Sequence, residues 1–182
     1  MGCDEHMSEA PKPLDPLEDL RIAVSVGAAA QTSIQHADTK AALLLTGLAG
    51  AAALAANQPG LIAAAAQAGI TATVGMIGLG SAIVAGVAVA GWHLGRCLVP
   101  RLTGPESLSG NRFALPDLGA RWQPHESTPV EQQRDEAWAA AVALAGIAMR
   151  KYRAIRACLP WAAVTVVGSI SWLCLGLAFG AR

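Results

Sequence analysis

The sequence predicts an all-α membrane protein: three transmembrane helices, with two cytoplasmic helices continuing into spans one and three. Two charge-free runs carry the prediction. Residues 41 to 95 hold no Asp, Glu, Lys or Arg over 55 positions, and residues 157 to 181 repeat this over 25. A spanning helix needs about 20 mostly apolar residues, and an ionised side chain at mid-bilayer costs several kcal/mol. The first run therefore has room for two spans and the second for one. Composition agrees, with 14% charged residues, 4% aromatics and a mean hydropathy of +0.41 over 182 residues. A soluble domain carries about a quarter charged residues, which argues against an Ala-rich globule of core helices.

Residues 1–14 read as a disordered tail. Asp15-Pro16-Leu17-Glu18 then offers a cap, a first-turn proline and a reciprocal Glu, so a stalk helix is expected over 15–40. Its facing positions, Leu17, Leu20, Val24, Ala28, Gln31, Gln35 and Asp38, recur every three or four residues. That stripe starts apolar and ends polar. Either it is a stalk packed through its lower half, or Gln31, Gln35 and Asp38 face an enclosed polar pocket beside the membrane.

No breaker but single glycines intervenes before Asn57, so the stalk runs on into span one, roughly 41–56. Asn57-Gln58-Pro59-Gly60 marks a short hairpin tip, and span two follows over about 70–94, completing a transmembrane hairpin over 41–95. Five prolines from Pro100 to Pro129 make 96–128 an irregular connector. Thr128-Pro129-Val130-Glu131 repeats the capping pattern and opens a helix over 129–157. Its apolar stripe, Trp138, Val142, Ala145, Met149, Tyr152 and Ile155, is expected to pack on the first stalk. The helix leads into span three at 158–180, where Pro160 opens a new helix or kinks a continuous one, and Trp161 suits an interfacial anchor.

Twelve of the thirteen basic residues precede span one or lie between spans two and three; only Arg182 follows span three. By the positive-inside rule the N-terminus and the long middle segment are cytoplasmic. Lys40, Arg96, Arg150, Lys151, Arg153 and Arg156 flank the spans and fix this topology. The first forty residues carry seven acids and no apolar run, so no cleavable signal is expected and span one directs insertion. His6 in place of Ser or Thr disfavours N-myristoylation. Net charge is zero, which gives no reason to expect a nucleic-acid polymer as partner. Cys3, Cys97, Cys158 and Cys174 have no metal-ligand spacing and are expected to be reduced.

The sequence has no Gly-rich phosphate loop, zinc-type spacing or nucleophile elbow, so neither an enzyme nor a cofactor is expected. No acid lies within a span to relay protons. The Arg150, Lys151, Arg153 and Arg156 cluster attracts anionic head groups. With Lys40, Arg96 or Arg101 at the same depth, some of it would also hold a phosphate-bearing ligand by charge-assisted hydrogen bonds. The candidate ligand residues are Gln31, Gln35, Asp38, Lys40, Arg101, Arg150, Lys151 and Tyr152.

Three elements carry a resemblance: Ile34-Gln35-His36-Ala37-Asp38-Thr39-Lys40-Ala41 entering a Leu-rich span, Leu98-Val99-Pro100-Arg101-Leu102 leaving the second, and Arg150-Lys151-Tyr152-Arg153 before the third. In this order and placement they resemble the transmembrane effectors of Pycsar antiphage defence, over roughly residues 17 to 180. The resemblance implies a bacterial inner-membrane protein activated by cyclic CMP or cyclic UMP from a partner pyrimidine cyclase. Its role would be to impair the membrane and abort infection. Homo-oligomerisation in the bilayer fits the small residues of Gly91-Trp92-His93-Leu94-Gly95. The rival readings are a holin-like pore-former that needs no ligand and a membrane scaffold.

Overall fold

The structure, a computed structural model, describes residues 14–58, 60–99, 111, 113 and 128–180, with backbone alone for 179 and 180. The expected tail and most of the 96–128 connector, including Arg101, lie outside the described residues. Among those described there is no strand, and there are four helices: α1 (Pro16–Ala56), α2 (Leu61–Ala68), α3 (Ile70–Leu98) and α4 (Val130–Gly180). α1, α3 and α4 are each long and apolar enough to cross a membrane.

The stalk and span expected at each end are single continuous helices. α1 opens on Pro16, with Glu18 and Asp19 in its first turn, where acids complement the helix dipole. α4 opens at Val130, and it is Gln133 whose side-chain amide reaches back to the Thr128 carbonyl, at 2.8 Å. Pro160 lies inside α4, which continues through it; having no N–H, it leaves the Arg156 carbonyl without its intrahelical donor.

The expected hairpin tip differs. Rather than a bare turn, residues 57–69 contain α2, whose Leu61 and Ala65 are buried. Between Gly60 and Gly69 the chain has no breaker and four consecutive alanines, which suffices for two turns. Gly69 separates α2 from α3 with φ of 118° and ψ of 170°, a region essentially restricted to glycine. Gly69→Ala is expected to cost about 1–3 kcal/mol, read as a lower unfolding midpoint in detergent. An unchanged midpoint would remove this backbone conformation from the fold.

The described residues fall into two compact units, divided between Ala29 and Ala30 on α1 and between Ala143 and Leu144 on α4. In the first, the Trp138 indole N–H donates to Asp19 Oδ1 at 3.0 Å, and Arg134 Nε lies 3.8 Å from Asp19 Oδ2. Asn111, from the connector, is buried there; its side-chain amide donates to the Glu136 carbonyl and accepts from the Phe113 N–H, both at 2.8 Å. In the second unit one buried cluster gathers Ala37, Ala41, Leu94, Cys97, Ile155 and Cys158 with their neighbours, and another centres on Met76, Ile83 and Trp172.

The shielded positions follow a strict rhythm. On α1 they include Ala23, Gly27, Ala30, Ile34, Ala37, Ala41, Leu44 and Leu48; on α4, Ala137, Ala141, Leu144, Ala148, Lys151, Ile155, Cys158 and Ala162. Steps of four and three alternate along each helix, the 3.5-residue spacing of a coiled-coil seam.

The faces expected from sequence are therefore corrected. On α1, Leu20 and Asp38 are shielded, but Leu17, Val24, Ala28, Gln31 and Gln35 are exposed. On α4, Trp138, Ala145 and Ile155 are shielded, whereas Val142, Met149 and Tyr152 are exposed. The physical reason is size. Ala and Gly at the seam let backbones approach closely, as at Gly27, where an added Cβ would sit 3.9 Å from the Ala141 methyl. Val24, Val142 and Met149, one position away, are turned outward.

Candidate functional site

Lys40 is the last ionisable residue before the first charge-free run and Arg156 the last before the second. Around this boundary, in the second unit, α1 and α4 run in parallel, and the Lys151 ammonium donates to Asp38 Oδ1 between them. The Lys151 side chain is 16% exposed and that of Asp38 39%, so the pair is neither a free surface pair nor a fully desolvated one. Exposed pairs contribute about 0–1 kcal/mol, while breaking a buried one costs about 3–5 kcal/mol. Asp38 is the only acid among the described residues of this unit, against six basic ones.

Two further contacts frame the pair. Lys40 Nζ lies 5.8 Å from the centroid of the Tyr152 ring, within cation–π range. The Cys97 thiol, at the end of α3, lies 3.9 Å from the Lys151 carbonyl, a weak hydrogen bond that brings the third helix to the same level. Beside them opens a groove of about 690 Å³ between Lys40, Leu43, Leu44 and Gly47 of α1 and Tyr152, Ile155, Arg156 and Leu159 of α4.

Of the residues singled out from sequence, Asp38 meets Lys151 and Lys40 meets Tyr152. Gln31, Gln35 and Arg150 are exposed and are not gathered with them. Arg96, Arg153 and Arg156 are also exposed, on the flanks of the charge-free runs where topology residues were expected. Nothing in the sequence pattern marks Cys97 or Gly47 for this place, since a lone thiol and a glycine in an apolar run carry no charge or spacing signal. Gly91 and Gly95 have nothing within 4 Å of an added Cβ, so among the described residues neither glycine marks a close approach, although Leu94 between them is buried. Among the described residues no three His, Cys, Asp or Glu side chains converge to hold a metal ion. The chemistry available is that of cations, one carboxylate and an aromatic face: recognition of an anion.

No curated protein and no solved structure matches the chain. A family model does: PycTM, the Pycsar effector protein domain, over residues 23–180. The match takes in α2, α3 and α4 whole, most of α1, and both partners of the Asp38–Lys151 pair. Coverage of nearly the whole helical part, together with three helices able to span a bilayer, leads to one conclusion: the chain belongs to the Pycsar effector family, which points to a non-catalytic membrane effector in antiphage defence.

Proposed function

We propose that this effector sits in the bacterial inner membrane with its N-terminus in the cytoplasm. There it is switched by cyclic CMP or cyclic UMP from a partner cyclase, and it impairs the membrane as a homo-oligomer. The single observation that supports a switch at this place is the Asp38–Lys151 pair, half-shielded, between two helices that each enter a charge-free run. A cyclic nucleotide carries one phosphodiester negative charge and competes with the Asp38 carboxylate for the Lys151 ammonium. Charge-assisted bonds to phosphate are among the stronger ones. Because a ligand shifts an equilibrium only through differential affinity, the leaky state is the one in which Lys151 has left Asp38 for the phosphate.

The test is dye release from liposomes carrying the protein, with cyclic CMP, cyclic UMP, cyclic AMP and cyclic GMP added singly. Release with one pyrimidine nucleotide, lost in Lys151→Met, is the expected result. Release without any nucleotide would favour the holin-like reading, and silence with all four would overturn nucleotide gating of the isolated protein.

A further inference from the structure

We infer that the groove between Lys40 and Leu159 is a binding site for one anionic phospholipid, its phosphate held by Lys40 and Arg156 and one acyl chain laid along Leu43, Gly47 and Leu159. The lining repeats the same spacing on both helices: 40, 43, 44 and 47 on α1, and 152, 155, 156 and 159 on α4. The helices are parallel, so the groove has a polar end and an apolar end. Lys40 and Arg156 stand at the charge-free boundary, and Leu43, Gly47 and Leu159 lie beyond it. That order matches a phospholipid entering from the head-group region.

Three observations select this occupant. First, among the described residues neither Lys40 nor Arg156 makes an ion pair, and the unit's only described acid is bound to Lys151. The groove's charge is therefore uncompensated by the described residues, and basic residues at a membrane surface favour anionic lipid. Second, Gly47 has nothing within 4 Å of an added Cβ, so the floor of the apolar end is open. Third, apart from the Tyr152 hydroxyl, the neutral part of the lining has no side-chain hydrogen-bonding group. A ribose and base would leave most of their polar groups unmatched there, whereas an acyl chain has none to match. The inference does not rest on nucleotide gating.

The experiment uses the full chain reconstituted in bilayers of equimolar phosphatidylglycerol and phosphatidylethanolamine, then extracted mildly, with retained lipid counted by native mass spectrometry. The wild type is expected to retain phosphatidylglycerol in clear excess. Lys40→Gln and Arg156→Gln should each lower that preference roughly five-fold, and the pair together about thirty-fold, from the usual contribution of a surface cation. Gly47→Leu keeps both cations and improves helix propensity, yet it should reduce total retained lipid by filling the floor. Equal retention of the two lipids by the wild type, or an unchanged preference in the doubly neutralised variant, would overturn the site. So would displacement of the retained lipid by inorganic phosphate or cyclic CMP in the buffer, which would make it a site for free phosphate. Dye release has no part in this readout, so failure here leaves the gating reading standing, and the reverse.

Discussion

Gly86→Ala is expected to destabilise the protein by about 1–3 kcal/mol, the usual range for overpacking. A Cβ at this position would stand 2.5 Å from Thr165 Oγ1, 3.1 Å from the Trp161 carbonyl oxygen and 3.4 Å from the Thr165 nitrogen. The hydroxyl cannot simply swing away at no loss, because it donates to that same Trp161 carbonyl at 3.0 Å, and the two backbone atoms move only if α4 moves. Thr165→Ala removes the nearest of the three clashes, so the double variant should be more stable than the sum of the two single changes, with a coupling of about 0.5–3 kcal/mol. Gly91→Ala is the control. Its added Cβ meets nothing within 4 Å, and intrinsic helix propensity alone should make it neutral or slightly stabilising. Equilibrium unfolding in detergent reads all four. Equal midpoints for Gly86→Ala and the wild type would mean that α3 and α4 do not approach this closely.

Lys151→Met should produce the next largest loss, about 1–3 kcal/mol, between the values for exposed and buried pairs. The methionine can fill the space of the lysine stem, so the loss reports the stranded Asp38 carboxylate rather than a cavity. Asp38→Asn in the Lys151→Met background removes the stranded charge and should recover most of the stability. Asp38→Asn alone leaves Lys151 without its carboxylate, and in the liposome assay it should lower the nucleotide concentration needed for release. A double variant no more stable than Lys151→Met alone would show that the pair contributes through something other than charge.

The membrane class, the continuous stalk-and-span helices and the charge-free boundary were all legible, because each follows from where ionisable side chains are missing. The packing faces were not. Large apolar side chains such as Val24, Val142 and Met149 have the right spacing but lie about one position from the true seam. The seam is written instead in Ala and Gly, at Ala23, Gly27, Ala30 and Ala37 on α1 and Ala137, Ala141 and Ala148 on α4. These residues gain little by burial and much by proximity, so a hydrophobicity count passes over them, whereas small residues at alternating steps of three and four would have marked them. Asp38, Lys40, Lys151 and Tyr152 were picked out individually as ligand residues. Their pairing depends on the relative rotation of α1 and α4, which a seam misread by one position does not give. The two-turn helix at the hairpin tip was hidden by the turn signal preceding it.

A repetitive seam carries little information about alignment. If α1 slid along α4 by seven residues, the spacing would be kept and Ala30 would take the place of Ala37, but Ile34 would take that of Ala41, and Ala37 and Ala41 those of Leu44 and Leu48. Side-chain size therefore opposes the slide at the membrane end of the seam, where leucines would give way to alanines. What such a slide cannot preserve is the meeting of the unit's one carboxylate with Lys151, since no second described acid stands seven residues away. Asp38 and Lys151 thus act as a peg in a track of regular spacing, as a lone polar residue fixes alignment in a coiled coil. Withdrawing the peg would leave alignment to the sizes of Ile34, Leu44 and Leu48 alone.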